Sequence, residues 1–217
     1  MSDGTAEMKN GKRDFDRDAS NWDQVPQRVQ VASDIAHGMI RTLVLRPDMD
    51  VLDFGCGTGL ISLVLQPFVH SITGVDSSQG MLDVFRRKIL DNALQNVKAS
   101  YLELDKGNVL SGRYHLVVSS MTLHHIKEFR PLLKQFYQVL HPSGTLCIAD
   151  LDLDDGQFHS SNDGVFHFGF DREYLRLGFH EAGFRDIRAF DAARIEKPVE
   201  GSNKLIFTIF LMTGQKE

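Results

Sequence analysis

The stretch Val51-Leu-Asp-Phe-Gly-Cys-Gly-Thr-Gly-Leu60 decides the fold. Asp50 to Phe54 reads as a short β-strand that carries an acid, Asp53, and runs straight into Gly55, Gly57 and Gly59. A helical pattern follows. Glycines on alternate positions leave a backbone with no side chains to obstruct a ligand, and they accept φ > 0 where a turn demands it. Strand, glycine turn and helix in this order is how α/β proteins hold nucleotide-like ligands. A dinucleotide fingerprint, G-x-G-x-x-G/A, read from Gly55 ends on Leu60, so that match fails. A phosphate-binding P-loop needs Gly-Lys followed by Ser or Thr, and no such stretch occurs.

The remaining sequence alternates in the same way. Pro26 is placed to open a helix, and Val29, Ala32, Ile35, Ala36, Met39, Ile40 and Leu43 repeat at helical spacing. Strands are expected at Ser71 to Asp76, Val97 to Leu104, Tyr114 to Ser119 and Thr145 to Ala149, the last introduced by a Pro142-Ser-Gly144 turn. Helices are expected over Leu60 to Leu65, around Met81 to Leu90, around Phe129 to Leu140, and from an Asp171 cap to a Gly183 stop. Strand–helix alternation implies a parallel sheet covered on both faces, an α/β doubly wound domain. The end differs. Strands near Arg185 to Ile195 and Lys204 to Met212 are joined by Glu196 to Asn203, too short for a crossover helix, so they form an antiparallel hairpin.

Size and composition narrow the function. The chain has 217 residues, 42% of them apolar, which suits one well-cored domain. Its net charge of -5 provides no bulk field for nucleic acid, and no basic stripe is present. No apolar run approaches the ~20 residues of a membrane helix. The N-terminus is polar and lacks the apolar core of a signal peptide. A disordered tail is expected over residues 1–13 and a single domain over 14–217. Of the two cysteines, Cys56 lies in the glycine turn and Cys147 in an apolar strand. A disulfide between them would tie the turn to the sheet interior, so both read as reduced thiols of a cytoplasmic protein.

Asp53-x-Gly55-x-Gly57-x-Gly59 resembles motif I of the class I S-adenosylmethionine-dependent methyltransferases, here with Cys56 and Thr58 between the glycines. Asp76 ends the second strand, 17 residues beyond Gly59, where a carboxylate can accept from both ribose hydroxyls. An acid that only caps the next helix is the plainer alternative. Val75-Asp-Ser-Ser-Gln-Gly-Met81, with Ser77 and Met81, is similar to the family's second block, in which the acid holds the ribose. Leu104-Asp105 is similar to the third, where an acid accepts from the adenine amino group; Lys106 stands where a small residue is usual. Tyr114 to Ile126 resembles the block at strand 4, although His115 replaces the usual acid. The resemblance implies that Ser119, Ser120 and Met121 lie near the methionine part of the cofactor. It also implies seven strands in the order 3-2-1-4-5-7-6. Phe15 to Asp23 is similar to the segment that precedes this fold in small-molecule members, where an aromatic closes over the cofactor. Trp22 is placed to cover a sulfonium, and Arg28 to reach the methionine carboxylate, with ordinary helix packing as the alternative for each.

His124 and His125 follow strand 4, where the acceptor is expected, and a histidine there can serve as general base. His159 and His167 flank a segment expected to cover the pocket. Phe158, Phe166, Phe168 and Phe170 are candidate walls, at least two of them expected in the core. No H-E-x-x-H or Cys/His ladder is present, and no metal is expected. The reading is methyl transfer from S-adenosylmethionine to a small-molecule acceptor, leaving S-adenosylhomocysteine. Its alternatives are a protein side chain as acceptor and a non-catalytic S-adenosylmethionine-binding partner protein. No membrane or nucleic-acid partner is expected, and nothing in the sequence fixes an oligomeric state.

Overall fold

Strands β1 (Asp50–Phe54), β2 (Ser71–Asp76), β3 (Val97–Tyr101), β4 (Tyr114–Ser120), β5 (Leu140–Leu151), β6 (Arg185–Lys197) and β7 (Leu205–Gln215) form one sheet in the order β3-β2-β1-β4-β5-β7-β6. β1 to β5 pair in parallel. β7 runs antiparallel to both β5 and β6, which is the hairpin the short connection requires. The computed structural model describes residues 14–197 and 204–217. The tail expected over 1–13 therefore lies outside the described residues.

Among the described residues six α-helices accompany the sheet: α1 (Phe15–Asp18), α2 (Pro26–Thr42), α3 (Leu60–Leu65), α4 (Gln79–Asp91), α5 (Phe129–Val139) and α6 (Arg172–Ala182). Successive strand residues point to opposite faces, and both faces are buried. Val51, Leu116, Val118 and Cys147 pack with Ile35, Leu65 and Phe85 of α2, α3 and α4. Leu52, Val117, Leu146 and Ile148 pack with Phe136 and Phe179 of α5 and α6. Each such side chain taken from water stabilises the fold by about 1.5–3 kcal/mol. Local signals set the helix ends. Pro26 occupies the first turn of α2, Asp171 accepts the Tyr174 amide at 2.8 Å, and Gly183 stops α6 at φ +109°.

Three expected boundaries move. β3 stops at Tyr101, the partner of Asp76, because β2 offers nothing further to pair with, and Leu104–Lys106 forms a 3₁₀ turn instead of strand. β5 starts at Leu140 because Tyr114 pairs with Leu140 before the register shifts to Leu116 with Thr145. The Pro142–Gly144 turn is thus an irregularity within a strand, with Ser143 at φ +61°. The last strand reaches Gln215, since β5 and β6 both pair with it that far.

Candidate active site

The glycine turn leaves the C-terminal end of β1 and opens α3. Gly57 has φ +53°, and a Cβ there would meet nothing within 4 Å, so its bare face looks into open space. Gly59 has φ +82°, and a Cβ would lie 2.1 Å from the Phe85 ring, so this glycine lets α4 pack on the turn. Asp76 reaches across from β2. Its Oδ2 accepts the Gly57 amide at 2.8 Å and its Oδ1 the Ser78 amide at 2.8 Å. Burial raises its pKa against the lowering effect of those amide bonds. Asp53 is fully buried and accepts the Ser62 hydroxyl at 2.6 Å. Loss of solvation pushes it up to about 7, the Ser62 bond opposes this, and the Asp76 charge adds to it.

A cavity of about 860 Å³ opens over this turn. It lies toward the large end of the ~300–1,000 Å³ range for ligand pockets, with room for a cofactor and an acceptor together. Asp53, Gly55, Cys56, Gly57, Thr58, Asp76, Ser77 and Met81 line one part of it, and Leu104 and Asp105 line the same cavity from the 3₁₀ turn after β3. Gly59 does not line it; it serves packing. Ser119 does not line it either. Its side chain is buried in the sheet, and its neighbour Ser120 takes the cavity position, as the period of two along a strand requires. Met121 lines the cavity with φ +52°, an unusual backbone for a side-chain-bearing residue. Burial, with the charges of Asp53 and Asp76, raises the Cys56 thiol well above its ordinary value. It stays protonated and is a poor nucleophile toward a bound alkylating ligand.

The N-terminal segment is docked on the same side. Asp16 accepts the Ser78 hydroxyl at 2.6 Å and the Gly80 amide at 2.8 Å, at the start of α4. Asp23 accepts the Thr58 hydroxyl at 2.7 Å and pairs with Lys88 at 2.5 Å, while Lys88 donates to the Thr58 carbonyl at 2.8 Å. Phe15, Trp22 and Arg28 line the cavity. The Arg28 guanidinium lies over the Trp22 ring, 4.1 Å from its centre, so one face of that ring already carries a cation. Asp16, Asp23 and Lys88 were not among the expected site residues. Their roles come from tertiary contacts between segments far apart in sequence, which no local motif encodes.

Histidines form the far wall. His124 and His125 lie in a 3₁₀ turn, Leu123–His125, after β4, and both line the cavity together with His159. His124 is 1% exposed. Its Nδ1 lies 2.6 Å from Oδ1 of Asp150, itself fully buried near the end of β5. Burial alone would raise that carboxyl; the His124 ring and amide bonds from Leu151 and His124 outweigh it, so its pKa is lowered. His125 Nδ1 lies 2.7 Å from the Gly164 carbonyl, which can only accept. Carboxylate and carbonyl thus make each ring a donor through Nδ1. The segment between β5 and α6 braces this turn. The Phe166 and His167 amides donate to the His124 carbonyl at 2.9 and 3.2 Å. Of the four phenylalanines named above, Phe158 and Phe166 line the cavity, Phe170 is buried in the core and Phe168 is exposed. Asp150 carried only the signal of an acid at a strand end.

Comparison with known proteins agrees with this geometry. The methyltransferase domain family matches residues 27–189. An uncharacterized methyltransferase of Schizosaccharomyces pombe is 33% identical over 183 residues, covering 81% of this chain and 61% of that one. A malonyl-[acyl-carrier protein] O-methyltransferase of Priestia megaterium is 27% identical over 64% of this chain and 50% of its own. The chain therefore spans about half to three-fifths of the length of these curated relatives. Among solved structures, the YcgJ protein of Bacillus subtilis aligns with a TM-score of 0.70 at 16% identity, over 84% of this chain and 97% of that one. Haemonchus contortus phosphoethanolamine N-methyltransferase 2 in complex with S-adenosyl-L-methionine aligns at 0.68 and 14% identity, over 95% of this chain and 60% of that one. With the sheet order, the glycine turn and the family match in agreement, the chain belongs to the class I S-adenosylmethionine-dependent methyltransferases.

Proposed function

We propose that this protein transfers the methyl group of S-adenosylmethionine to a nucleophile on a small molecule. The observation that carries the proposal is one cavity with two chemically distinct ends. Asp76 and the bare backbone of Gly57 form one end, and the histidine wall the other. In this reading the ribose hydroxyls bond to Asp76, Leu104 and Asp105 flank the adenine, and Met121 lies beside the methionine part. The acceptor stands at His124 and His125. Attack on the methyl carbon forms the new bond as the sulfur–methyl bond breaks. The sulfonium becomes a neutral thioether, and the acceptor gives up its proton at the histidine end of the cavity. The sulfonium needs little help to depart, so the protein's part is to align two reactants and exclude water. The docked N-terminal segment and the segment between β5 and α6 are placed to do so.

Among the described residues no helix is long and apolar enough to cross a membrane. The two cysteines are free, which supports a reducing, cytoplasmic setting. The test is release of S-adenosylhomocysteine when the purified protein meets methyl-labelled S-adenosylmethionine and panels of phenols, carboxylic acids, amines and thiols. Label appearing only in added proteins would replace the small molecule by a protein side chain. Cofactor binding without turnover on any panel would make this a non-catalytic partner.

A further inference from the structure

The three histidines at the acceptor end converge more closely than a wall requires. One ligand nitrogen each from His124, His125 and His159 lie within 4.8 Å of one another, and the rings of His124 and His125 are centred 4.1 Å apart. His124 Nε2 is buried and makes no hydrogen bond, and the Asp150 contact on Nδ1 holds the ring in place. A buried polar nitrogen left without a partner is unfavourable. A divalent cation among the three rings would give it one.

We infer that His124, His125 and His159 hold one divalent transition-metal ion of the zinc class, on which the acceptor binds through an oxygen or sulfur atom. The inference rests on the acceptor end assigned under Proposed function. Neutral imidazoles select zinc-like ions over magnesium or calcium, which take oxygen ligands. A carboxylate behind one ligating ring and a backbone carbonyl behind another is the outer shell such sites use to fix the tautomer. Asp150 and the Gly164 carbonyl supply it here. Nitrogens bound at ~2.0–2.1 Å in a tetrahedral site lie about 3.4 Å apart, so the rings close by about an ångström on binding. His159 is on the irregular segment after β5, where such movement is least costly. Three protein ligands leave a position toward the cavity. An acceptor hydroxyl or thiol bound there loses its proton to solvent at neutral pH, as zinc-bound water does. The resulting anion then forms its bond to the methyl carbon as the sulfur–methyl bond breaks. The expectation of no metal rested on local spacing. Here the third histidine stands 34 residues after the second, and only the fold brings it in.

The experiment is titration of the chelator-stripped full chain with zinc and with cobalt(II), followed by calorimetry and visible absorption. Binding of one ion per chain is expected, with cobalt bands of a four-coordinate site and at least a tenfold loss of affinity in His159→Ala. Catechol added as a small oxygen donor should shift the cobalt bands. No stoichiometric binding, or equal affinity in His159→Ala, would overturn the site. Bands unmoved by catechol would overturn its role in holding the acceptor. S-adenosylhomocysteine binding is measured on the same samples. Intact cofactor binding without metal binding defeats this inference alone, whereas loss of cofactor binding in the wild type defeats the function proposed above.

Discussion

Asp76 accepts the amide of Gly57 at 2.8 Å, so the acid that ends β2 and the middle of the glycine turn act as one unit. Its other oxygen takes the Ser78 amide at the start of α4. Asp76→Ala removes the proposed partner of the ribose and a brace of the turn together. We expect S-adenosylhomocysteine binding to weaken by about 1.5–3 kcal/mol, the scale of hydrogen bonds to a charged group, with the fold retained. Calorimetry with a parallel unfolding curve checks this. Unchanged affinity beside a collapsed fold would make the residue structural.

Two glycines of one turn should fail in different ways. Gly57→Ala adds a methyl where the protein has no atom within 4 Å, so its stability loss is the left-handed backbone strain alone, about 1–2 kcal/mol. Cofactor affinity should fall further than stability. Gly59→Ala drives a methyl to 2.1 Å from the Phe85 ring, adding a packing loss of about 1–3 kcal/mol to the same strain. Here the melting temperature should fall first. Equal effects of both changes on both readouts would contradict the division.

Buried Asp53 predicts a pH signature. Its carboxyl has an ordinary value of 3.8 and is raised to about 7 in the folded chain. Between those values the native state binds a proton that the unfolded state has lost. The contribution is therefore fully present below pH ~4 and is lost as pH rises through about 7, at up to about 1.4 kcal/mol per pH unit. Asp53→Asn should flatten that part of the stability–pH curve. A variant curve with the same slope as the wild type would assign the proton elsewhere.

The N-terminal segment should report on the cofactor. Asp16→Ala removes the bonds to Ser78 and Gly80, and Asp23→Ala those to Thr58 and Lys88. The double variant should raise hydrogen exchange over residues 14–28, change Trp22 fluorescence and weaken cofactor binding, while β1 to β5 keep their protection. Exchange over 14–28 that is the same in wild type and variant, with or without cofactor, would remove Trp22 and Arg28 from the site.

The strands and the final hairpin were legible because their evidence is local, whereas the order of the strands came from the family resemblance alone. Alternating apolar strands, Pro26, Asp171 and Gly183 act within a few residues, and the short connection after β6 forces the hairpin. That Asp76 and the glycine turn stand together was legible for a related reason, since one strand, one turn and the acid of the next strand carry them. Of the two serines named together, only Ser120 lines the cavity, because on a strand one residue reverses the direction of the side chain. Asp16, Asp23, Asp150 and His159 could not be read as a group. Each acquires its partner only when segments distant in sequence pack together, and an isolated acid or histidine looks the same on a solvated surface.

The bracing of His124 and His125 through carbonyl and amide groups has a consequence for how this chain can change. The Phe166 and His167 amides hold the turn as backbone groups, which do not depend on the side chain each residue carries. Phe166 also lines the cavity, so its side chain can change, and with it the shape offered to an acceptor, while its amide keeps the turn in place. The glycine turn and Asp76 belong to other strands and are not involved in that exchange. The proposed donor and acceptor recognition are thus separable parts of one fold, the first resting on bare backbone and one carboxylate and the second on a side chain that the turn does not need.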